Sequence, residues 1–373
     1  MTDSTHGSVS LSVRSTALGK KWYTINRFIE YIVDIDLETD ADDFSFTISN
    51  PECIFSGLIS TNDRVRIKIN KTGIMLGIVD QVIYHGSNNG NTIEVHGRDK
   101  ALLLIDNDVK STTKKNLKPV NYINERCNKF GIKYKNKKPI PLIKKYEIDG
   151  GSEMAIIIDM LNKSKQKLWY IYDTLYSGSW NLNGEIKWRF TRGVKAANRG
   201  IDIEDITLNE DIKNLISKEI IYGRQDDDHK ISGSYTLKVC NNRGIVKLKT
   251  ITDSDTKSSS KLSKQAETDI LDELRDAYTI RLIVDSKNHV IMPNTVCRII
   301  DRFIGINCTM FIRAVQYQKG SSGTKCEITC IPDSRTLKKL MNTSKITYSL
   351  ASTDETKRNA KIKSLLNKYS KKW

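Results

Sequence analysis

The residues best suited to chemistry in this sequence lie in the run RQDDDHK, Arg224 to Lys230. The carboxylates of Asp226 to Asp228 and the imidazole of His229 are groups that could hold a hard cation or exchange a proton. Consecutive side chains rarely converge on one ion, however, and the same composition is typical of a solvated turn. The sequence favours the turn, and we predict no metal site here.

Other catalytic motifs are missing from the sequence. The segment ALGKK contains Gly19 and Lys20, but Arg14 stands where a phosphate-binding loop needs its first glycine. The five histidines are scattered without the spacing of a metal site. Glycoside hydrolysis would need two carboxylates fixed across a cleft, which a sequence alone cannot select. We therefore predict no catalytic residue, no cofactor and no enzyme, and keep a cell-wall-degrading enzyme as a minor alternative.

The seven cysteines are an odd number at irregular spacing, which does not indicate a disulfide framework. Cys326 and Cys330 flank Ile328 at a period of two, so all three side chains should point to one face of a strand. We expect buried free thiols rather than a zinc site.

Positive charge is concentrated at the end of the chain. The formal net charge is +16, of which residues 334–373 contribute +9 from eleven basic and two acidic residues. The segment IKWRFTRG also interleaves Trp188 and Phe190 with basic residues, as in surfaces that stack on nucleic acid. No helix-turn-helix, zinc-finger or RNP1-like pattern is present, so specific binding is not expected. Non-specific binding of nucleic acid through the basic tail remains an alternative.

Two kinds of segment should position these residues. The first hundred residues alternate: FSFTIS puts Phe44, Phe46 and Ile48 on one side of a strand, and RVRIKI puts Arg64, Arg66 and Lys68 opposite an apolar row. These patterns predict half-buried antiparallel strands of a small barrel.

From Asp106 the pattern becomes helical. One helix should begin at Pro119 and stop at Gly131, and a second should have Ser152 as its N-cap. The aromatic strands LWYIYDTLY and IKWRF should form a hairpin through Asn183-Gly184.

Strands should resume in LISKEIIYG and GSYTLKVC. A later helix should bury one face, made of Ala266, Ile270, Leu274 and Ala277. In the tail, Ser352 and Glu355 form a capping box ahead of an apolar stripe, Ile362 to Tyr369. No apolar run approaches the roughly 20 residues that cross a bilayer, and MTDSTHGSVS has no secretory pattern. We expect no membrane insertion and synthesis in the cytoplasm.

One hairpin occurs twice in the sequence. Tyr84 and Tyr317 are 233 residues apart, and at this offset IVDQVIYHGSNNGNTIEV aligns without a gap to a second segment that ends in Glu327 and Ile328. Two similar barrels in one chain would let a ring of three chains present six similar barrels. Asp80 and Arg313 occupy equivalent positions with opposite charge, which could help unlike barrels become neighbours.

FSFTISNP, NDRVRIKI, GIVDQV and GRDKALLLID resemble the first domain of baseplate hub proteins from contractile phage tails, of the Mu-like and PBSX type that also occur in phage-tail-like bacteriocins. The order of elements extends this resemblance over most of residues 9–333. It implies a homotrimer with a pseudo-six-fold ring of barrels, which adapts a hexameric tail tube to a trimeric spike and contacts other baseplate proteins of a bacterial tail particle.

The sequence therefore predicts a β-rich α+β protein. A first tube-like barrel domain should span 1–105, an α+β insert 106–200 and a second barrel domain 201–333, followed by a basic, partly helical tail at 334–373. The candidate interface residues are Arg64, Arg66, Lys68, Asp80 and Arg313.

Overall fold

The structure is a computed structural model that describes residues 8–50, 53, 55–88, 90–194, 200–223, 231–242, 244–253, 256–285, 289–321 and 323–343. The chain divides into two compact units. The first comprises Met1–Asn181, Leu282–Thr295 and Ile312–Thr329, and the second comprises Leu182–Arg281, Val296–Phe311 and Cys330–Trp373.

The first hundred residues form seven strands in an antiparallel arrangement with the order β3-β4-β7-β6-β5-β1-β2. The predicted alternation is confirmed, since Phe44, Phe46 and Ile48 are each at most 2% exposed. Phe46 packs with Phe28 and Tyr31, at ring-centroid distances of 4.8 and 5.8 Å. The strands are β1 (Val9–Ser15), β2 (Lys21–Ile25), β3 (Glu30–Asp36), β4 (Asp43–Ser49), β5 (Arg64–Ile69), β6 (Thr72–Ser87) and β7 (Gly90–Asp99).

The next segment is mixed. The two predicted helices are confirmed: one begins at Pro119, and in the other the Ser152 Oγ accepts a hydrogen bond from the Ala155 N–H at 3.1 Å. They share a core in which Ile123 and Ile157 are fully buried. The elements are α1 (Leu102–Ile105), β8 (Thr112–Leu117), α2 (Pro119–Lys129), β9 (Lys133–Asn136), β10 (Ile143–Ile148), α3 (Glu153–Asn162), β11 (Lys167–Ile171) and β12 (Thr174–Gly178).

The rest of the described chain contains a small sheet, β16-β15-β17, against a long helix, α5. The predicted apolar face of this helix is confirmed, because Ala266, Ile270, Leu274 and Ala277 are all buried. The elements are β13 (Ile186–Arg192), β14 (Ile201–Glu210), β15 (Lys218–Tyr222), β16 (Ser232–Thr236), α4 (Lys238–Asn242), β17 (Leu248–Thr252), α5 (Ser259–Asp276), β18 (Tyr278–Val284), β19 (Thr295–Asp301), β20 (Ile306–Gly320), β21 (Gly323–Pro332) and α6 (Ser334–Thr343).

Six of these strands close a barrel, in the order β13-β14-β18-β21-β20-β19, with β19 hydrogen-bonded to β13. The chain is thus β-rich with few helices, as predicted. The tail is described only as far as α6; the capping box at Ser352 and the stripe from Ile362 to Tyr369 lie outside the described residues.

Two local predictions were wrong. No hairpin runs through Asn183-Gly184: β12 pairs with β11 and β9, whereas β13 pairs with β14 and β19. The true hairpin lies inside LWYIYDTLY, where Tyr172 has a φ of 60°. GSYTLKVC is not one strand either, since β16 ends at Thr236 and α4 begins at Lys238. In the first case, pairing with strands distant in the chain overrode a local turn propensity.

Candidate functional site

The sequence repeat is also a repeat of structure. At the offset of 233 residues, the end of β6 at Ser87 coincides with the end of β20 at Gly320, and β7 coincides with β21 over its full length. Gly90 and Gly323 begin the second strands with φ values of 127° and 95°, which favour glycine. The two hairpins therefore share bounds and turn geometry.

Burial follows the same pattern in the two hairpins. The alternation of buried and partly exposed residues is identical over residues 90–97 and 323–330. Ile93 and Val95 are fully buried, as are Cys326 and Ile328 at the equivalent positions. The predicted inward and outward faces are confirmed.

A buried aspartate lies at the end of the first hairpin and directly after the second, and each accepts a hydrogen bond from the backbone that follows. Asp99 Oδ1 accepts a hydrogen bond from the Ala101 N–H at 2.7 Å, and Asp333 Oδ1 accepts one from the Thr336 N–H at 2.8 Å. Both carboxylates belong to residues that are 0% exposed. α6 begins directly after Asp333, and α1 begins three residues after Asp99, at Leu102.

The surroundings of the two hairpins differ in one strand. β5 and β19 are the strands that pair with β6 and β20, and their other neighbours are β1 and β13. β1 runs antiparallel to β5, whereas β13 runs parallel to β19. The two copies therefore share the order of their strands. They differ in the direction of one strand, because β13 in the second copy runs opposite to the direction that β1 has in the first.

The predicted basic row lies on the outer side of β5. Val65, Ile67 and Ile69 are at most 2% exposed, so the intervening basic side chains point outward. The guanidinium of Arg66 lies 4.7 Å from the centroid of the Trp22 ring, which is itself 43% exposed. The structure thus brings Arg64, Arg66 and Lys68 together on one accessible surface.

Asp80 and Arg313, the two predicted residues of opposite charge, form separate ion pairs with other residues. Asp80 accepts two hydrogen bonds from Arg98, at 2.7 and 3.3 Å, and Arg98 also binds Asp106 at 3.0 Å. Arg313 on β20 lies 2.9 Å from the Glu38 carboxylate and 3.9 Å from that of Asp36. Asp80 is therefore paired with Arg98 on the adjacent strand β7. Arg313 is paired with carboxylates at the end of β3 and just after it.

The sequence did not indicate the strand that Arg313 reaches. β3 pairs antiparallel with the outer half of β20, from Ala314↔Asp36 to Lys319↔Tyr31. This pairing joins the second hairpin to the first antiparallel sheet. The period-two spacing of Tyr31, Val33 and Ile35, with Asp34 and Asp36 on the opposite face, was a usable signal for a half-buried strand.

No group of three or more His, Cys, Asp or Glu residues that could hold a metal ion occurs among the described residues. The RQDDDHK run with Asp226 to His229 lies outside them. The thiols of Cys326 and Cys330 are free and buried, as predicted. Burial raises the pKa of the Cys326 thiol, which disfavours the reactive thiolate.

Two residues from the proposed nucleic-acid surface have structural roles. Phe190 is 0% exposed, and the Arg192 Nε donates to Asp301 Oδ2 at 2.6 Å. The IKWRFTRG segment therefore supplies part of a core strand.

The first hairpin carries a buried pair of carboxyl groups. The Asp42 N–H donates to Asp99 Oδ2 at 3.1 Å, and both side chains lie in the interior. Burial raises the pKa of Asp99 to about 7. Burial also raises the pKa of Asp42, and the neighbouring charge of Asp99 adds to this increase.

This pair makes stability depend on pH. The folded state holds protons that an unfolded aspartate, with a pKa of about 4, has lost. The free energy of unfolding should therefore fall by roughly 2–4 kcal/mol as the pH rises from about 4 to about 7. Thermal melts at several pH values test this, and Asp99→Asn should flatten the profile. An equally steep profile in Asp99→Asn would assign the effect to other groups.

A family model matches the first part of the chain. Residues 12–99 match the family described as Mu phage baseplate assembly protein GpP-like, N-terminal. The chain resembles Mu-like baseplate hub proteins. The family match ends at Asp99, on the last residue of β7, so it covers the first antiparallel sheet with its hairpin.

Solved structures extend the fold similarity of this hub-like chain. A tail protein from Neisseria meningitidis MC58 matches with a TM-score of 0.71 and 20% identity, covering 87% of this chain and 97% of that chain. The 43 kDa tail protein of prophage MuSo2 from Shewanella oneidensis matches with a TM-score of 0.72 and 15% identity, over 88% and 99%.

An E. coli type VI secretion component, described as structurally similar to the T4 tail proteins gp27 and gp5, matches with a TM-score of 0.53 and 9% identity, over 86% and 76%. The search of curated proteins returned no match. Together the comparisons support a structural component of a phage tail. Among the described residues, no helix is both long and apolar enough to span a membrane.

Proposed function

We propose that this protein is a trimeric hub that connects a six-fold tail tube to a three-fold spike. The observation that carries the proposal is the repeated hairpin, whose copies share their bounds, glycine turn and burial pattern within one chain. A chain with two similar modules can satisfy two symmetries, because three copies supply six modules.

In this proposal the first module corresponds to residues 1–105 and the second to residues 201–333, with the insert at 106–200 between them. The partners are two further copies, a hexameric tube protein, a trimeric spike and other baseplate proteins. The protein acts by assembly, without catalysis, inside a tail particle of a phage, a defective prophage or a bacteriocin. The similarity to phage tail proteins supports the assembly role.

The solution mass of the purified chain tests the trimer. Light scattering coupled to size exclusion, over a concentration series, should approach three times the chain mass of 42.5 kDa. Electron microscopy of the same sample should show six similar densities around a ring. A monomeric mass at every concentration, with and without tube and spike proteins, would contradict the proposal.

Non-specific nucleic-acid binding is the second candidate, favoured by the net charge of +9 on residues 334–373. Such binding should weaken steeply with salt. Removing residues 344–373 keeps the residues of α6, takes away +6 of this +9 and should weaken the binding strongly. Unchanged affinity of the truncated chain for a DNA duplex would exclude this role for the tail.

A further inference from the structure

One face of the strands β2, β1 and β5 carries no acidic residue. Leu11, Val13 and Val65 are buried and define the inner face of these strands, so the residues between them point outward. We call the outward residues the basic face: Ser10, Ser12 and Arg14 of β1, Trp22 and Thr24 of β2, and Arg64, Arg66 and Lys68 of β5. Half of these side chains are cationic, and all of them belong to the first unit.

The cations of the basic face lie beside one another without compensating acids. Arg14 and Arg64 are directly opposite in an antiparallel pair, where like charges destabilise a sheet. None of the four cations forms an ion pair with a described residue. By contrast, Arg98 on β7 binds both Asp80 and Asp106. A bound anion would remove the repulsion, so the basic face is suited to a negatively charged partner.

The spacing of the cations fits a chain of phosphates. Arg64, Arg66 and Lys68 alternate along β5 and follow one another at roughly 6.8 Å, because each strand residue advances about 3.4 Å. Ser10 and Ser12 of the adjacent strand add hydroxyl groups beside this row. Arginine, lysine and serine are among the side chains that bind phosphate oxygens in complexes with nucleic acid. A phosphate backbone that runs along β5 would therefore meet a cation repeatedly.

Trp22 adds an aromatic surface to the basic face. The Arg66 guanidinium lies 4.7 Å from the centroid of the Trp22 ring, and Trp22 is still 43% exposed. β2 is the last strand of its sheet, so no described strand lies beyond it. Cations beside an exposed aromatic ring are typical of sites where the backbone of a single strand is bound and its bases stack.

We propose that the basic face binds single-stranded nucleic acid, with phosphates along β5 and a base stacked on Trp22. This inference goes beyond the proposed hub function, and its site is separate from the basic tail at 334–373. An acidic protein would satisfy the cations but would leave the indole without a base to stack on it. The exposed indole therefore favours a nucleic-acid strand as the partner.

Removal of two charges tests the phosphate contacts. Arg64→Gln combined with Lys68→Gln should weaken the binding of fluorescein-labelled oligothymidylate to the full chain at least tenfold, measured by fluorescence anisotropy. The slope of log Kd against log salt should fall by about 1.4, since each lost contact to a single strand contributes about 0.7. Lys114→Gln combined with Lys115→Gln removes the same charge from exposed positions of β8. This matched control should bind within about twofold of the wild type.

Removal of the indole tests the stacked base. Trp22→Ala should weaken the binding of oligothymidylate about tenfold and leave the binding of a DNA duplex unchanged, because stacking needs an unpaired base. Tyr23→Ala is the matched control, since Tyr23 is 41% exposed on the opposite face of the same strand. It should bind like the wild type. Circular dichroism melts of all the variants show whether the fold is retained.

The outcomes separate this site from the basic tail and from an acidic partner. Wild-type affinity in the folded Arg64→Gln, Lys68→Gln variant would overturn the inference and assign any binding to other parts of the chain. Wild-type affinity in Trp22→Ala would also overturn it, because a site that recognises charge alone does not need the indole. Weaker binding in both variants, with both controls unaffected, would support it. None of these results depends on trimer formation, which the solution mass tests independently.

Discussion

Gly97→Ala is expected to destabilise the first antiparallel sheet by about 3 kcal/mol. A Cβ at Gly97 would lie 2.1 Å from the Ile78 carbonyl oxygen and 2.5 Å from the Phe44 ring. The first of these atoms is backbone of the paired strand β6, so the hairpin must open or Phe44 must leave its site. Urea denaturation followed by circular dichroism should show a lower midpoint with a similar slope.

A glycine on the other hairpin provides the control for this prediction. Gly320 lies at the end of β20, and a Cβ there would have no atom within 4 Å. Gly320→Ala should therefore change the free energy of unfolding by less than about 0.5 kcal/mol. Equal free energies of unfolding for Gly97→Ala and Gly320→Ala would contradict the close packing of the Phe44 ring against the backbone of Gly97.

Asp333→Ala is expected to cost about 3 kcal/mol, because it removes a buried carboxylate that holds three donors. The Thr309 hydroxyl donates to Asp333 at 2.9 Å, the Thr336 N–H at 2.8 Å and the Arg335 Nε at 2.6 Å. Alanine leaves the first two donors buried without this acceptor and removes the charge beside Arg335. Thermal unfolding with near-ultraviolet circular dichroism should register the loss in the second unit.

The conservative variant separates charge from hydrogen bonding. Asp333→Asn keeps one carbonyl oxygen for Thr309 and Thr336 and should cost about half as much as Asp333→Ala. If both variants lost the same free energy, the ion pair with Arg335 would be the dominant contribution. If neither lost any, Asp333 would not be needed to start α6.

Gly97 and Asp333 both lie in or directly beside the repeated hairpins. Gly97 lies on β7, and Asp333 directly follows β21, the equivalent strand. A substitution at either position should lower the stability of its barrel module. It should therefore also lower the stability of any assembly that needs both modules. Mass measurements on these variants should accordingly be made at temperatures where each is still folded.

Local patterns in the sequence predicted most of the individual elements. The alternation of Phe44, Phe46 and Ile48 predicted a half-buried strand because neighbouring side chains of a strand point to opposite faces. Pro119 and Ser152 predicted helix starts because each satisfies a local backbone requirement. The hairpin through Asn183-Gly184 was wrong because a turn signal does not select which strands pair.

The candidate site was predictable only in part. The sequence identified Arg64, Arg66 and Lys68 as one row, and the structure places them on one accessible surface. It also identified Asp80 and Arg313 as equivalent, but not their partners Arg98 and Glu38. Glu38, the partner of Arg313, is distant in the sequence. A contact between distant residues cannot be predicted from a local sequence pattern.

The sequence by itself determined the repeat, the faces of its strands and the positions of the glycine turns, because these depend on side-chain periodicity and backbone conformation over a few residues. Only the tertiary structure decided that β3 pairs with the outer half of β20 and that β13 runs parallel to β19. Strands pair through backbone groups that are nearly the same in every residue. The choice of partner is therefore made by the packing of the whole sheet.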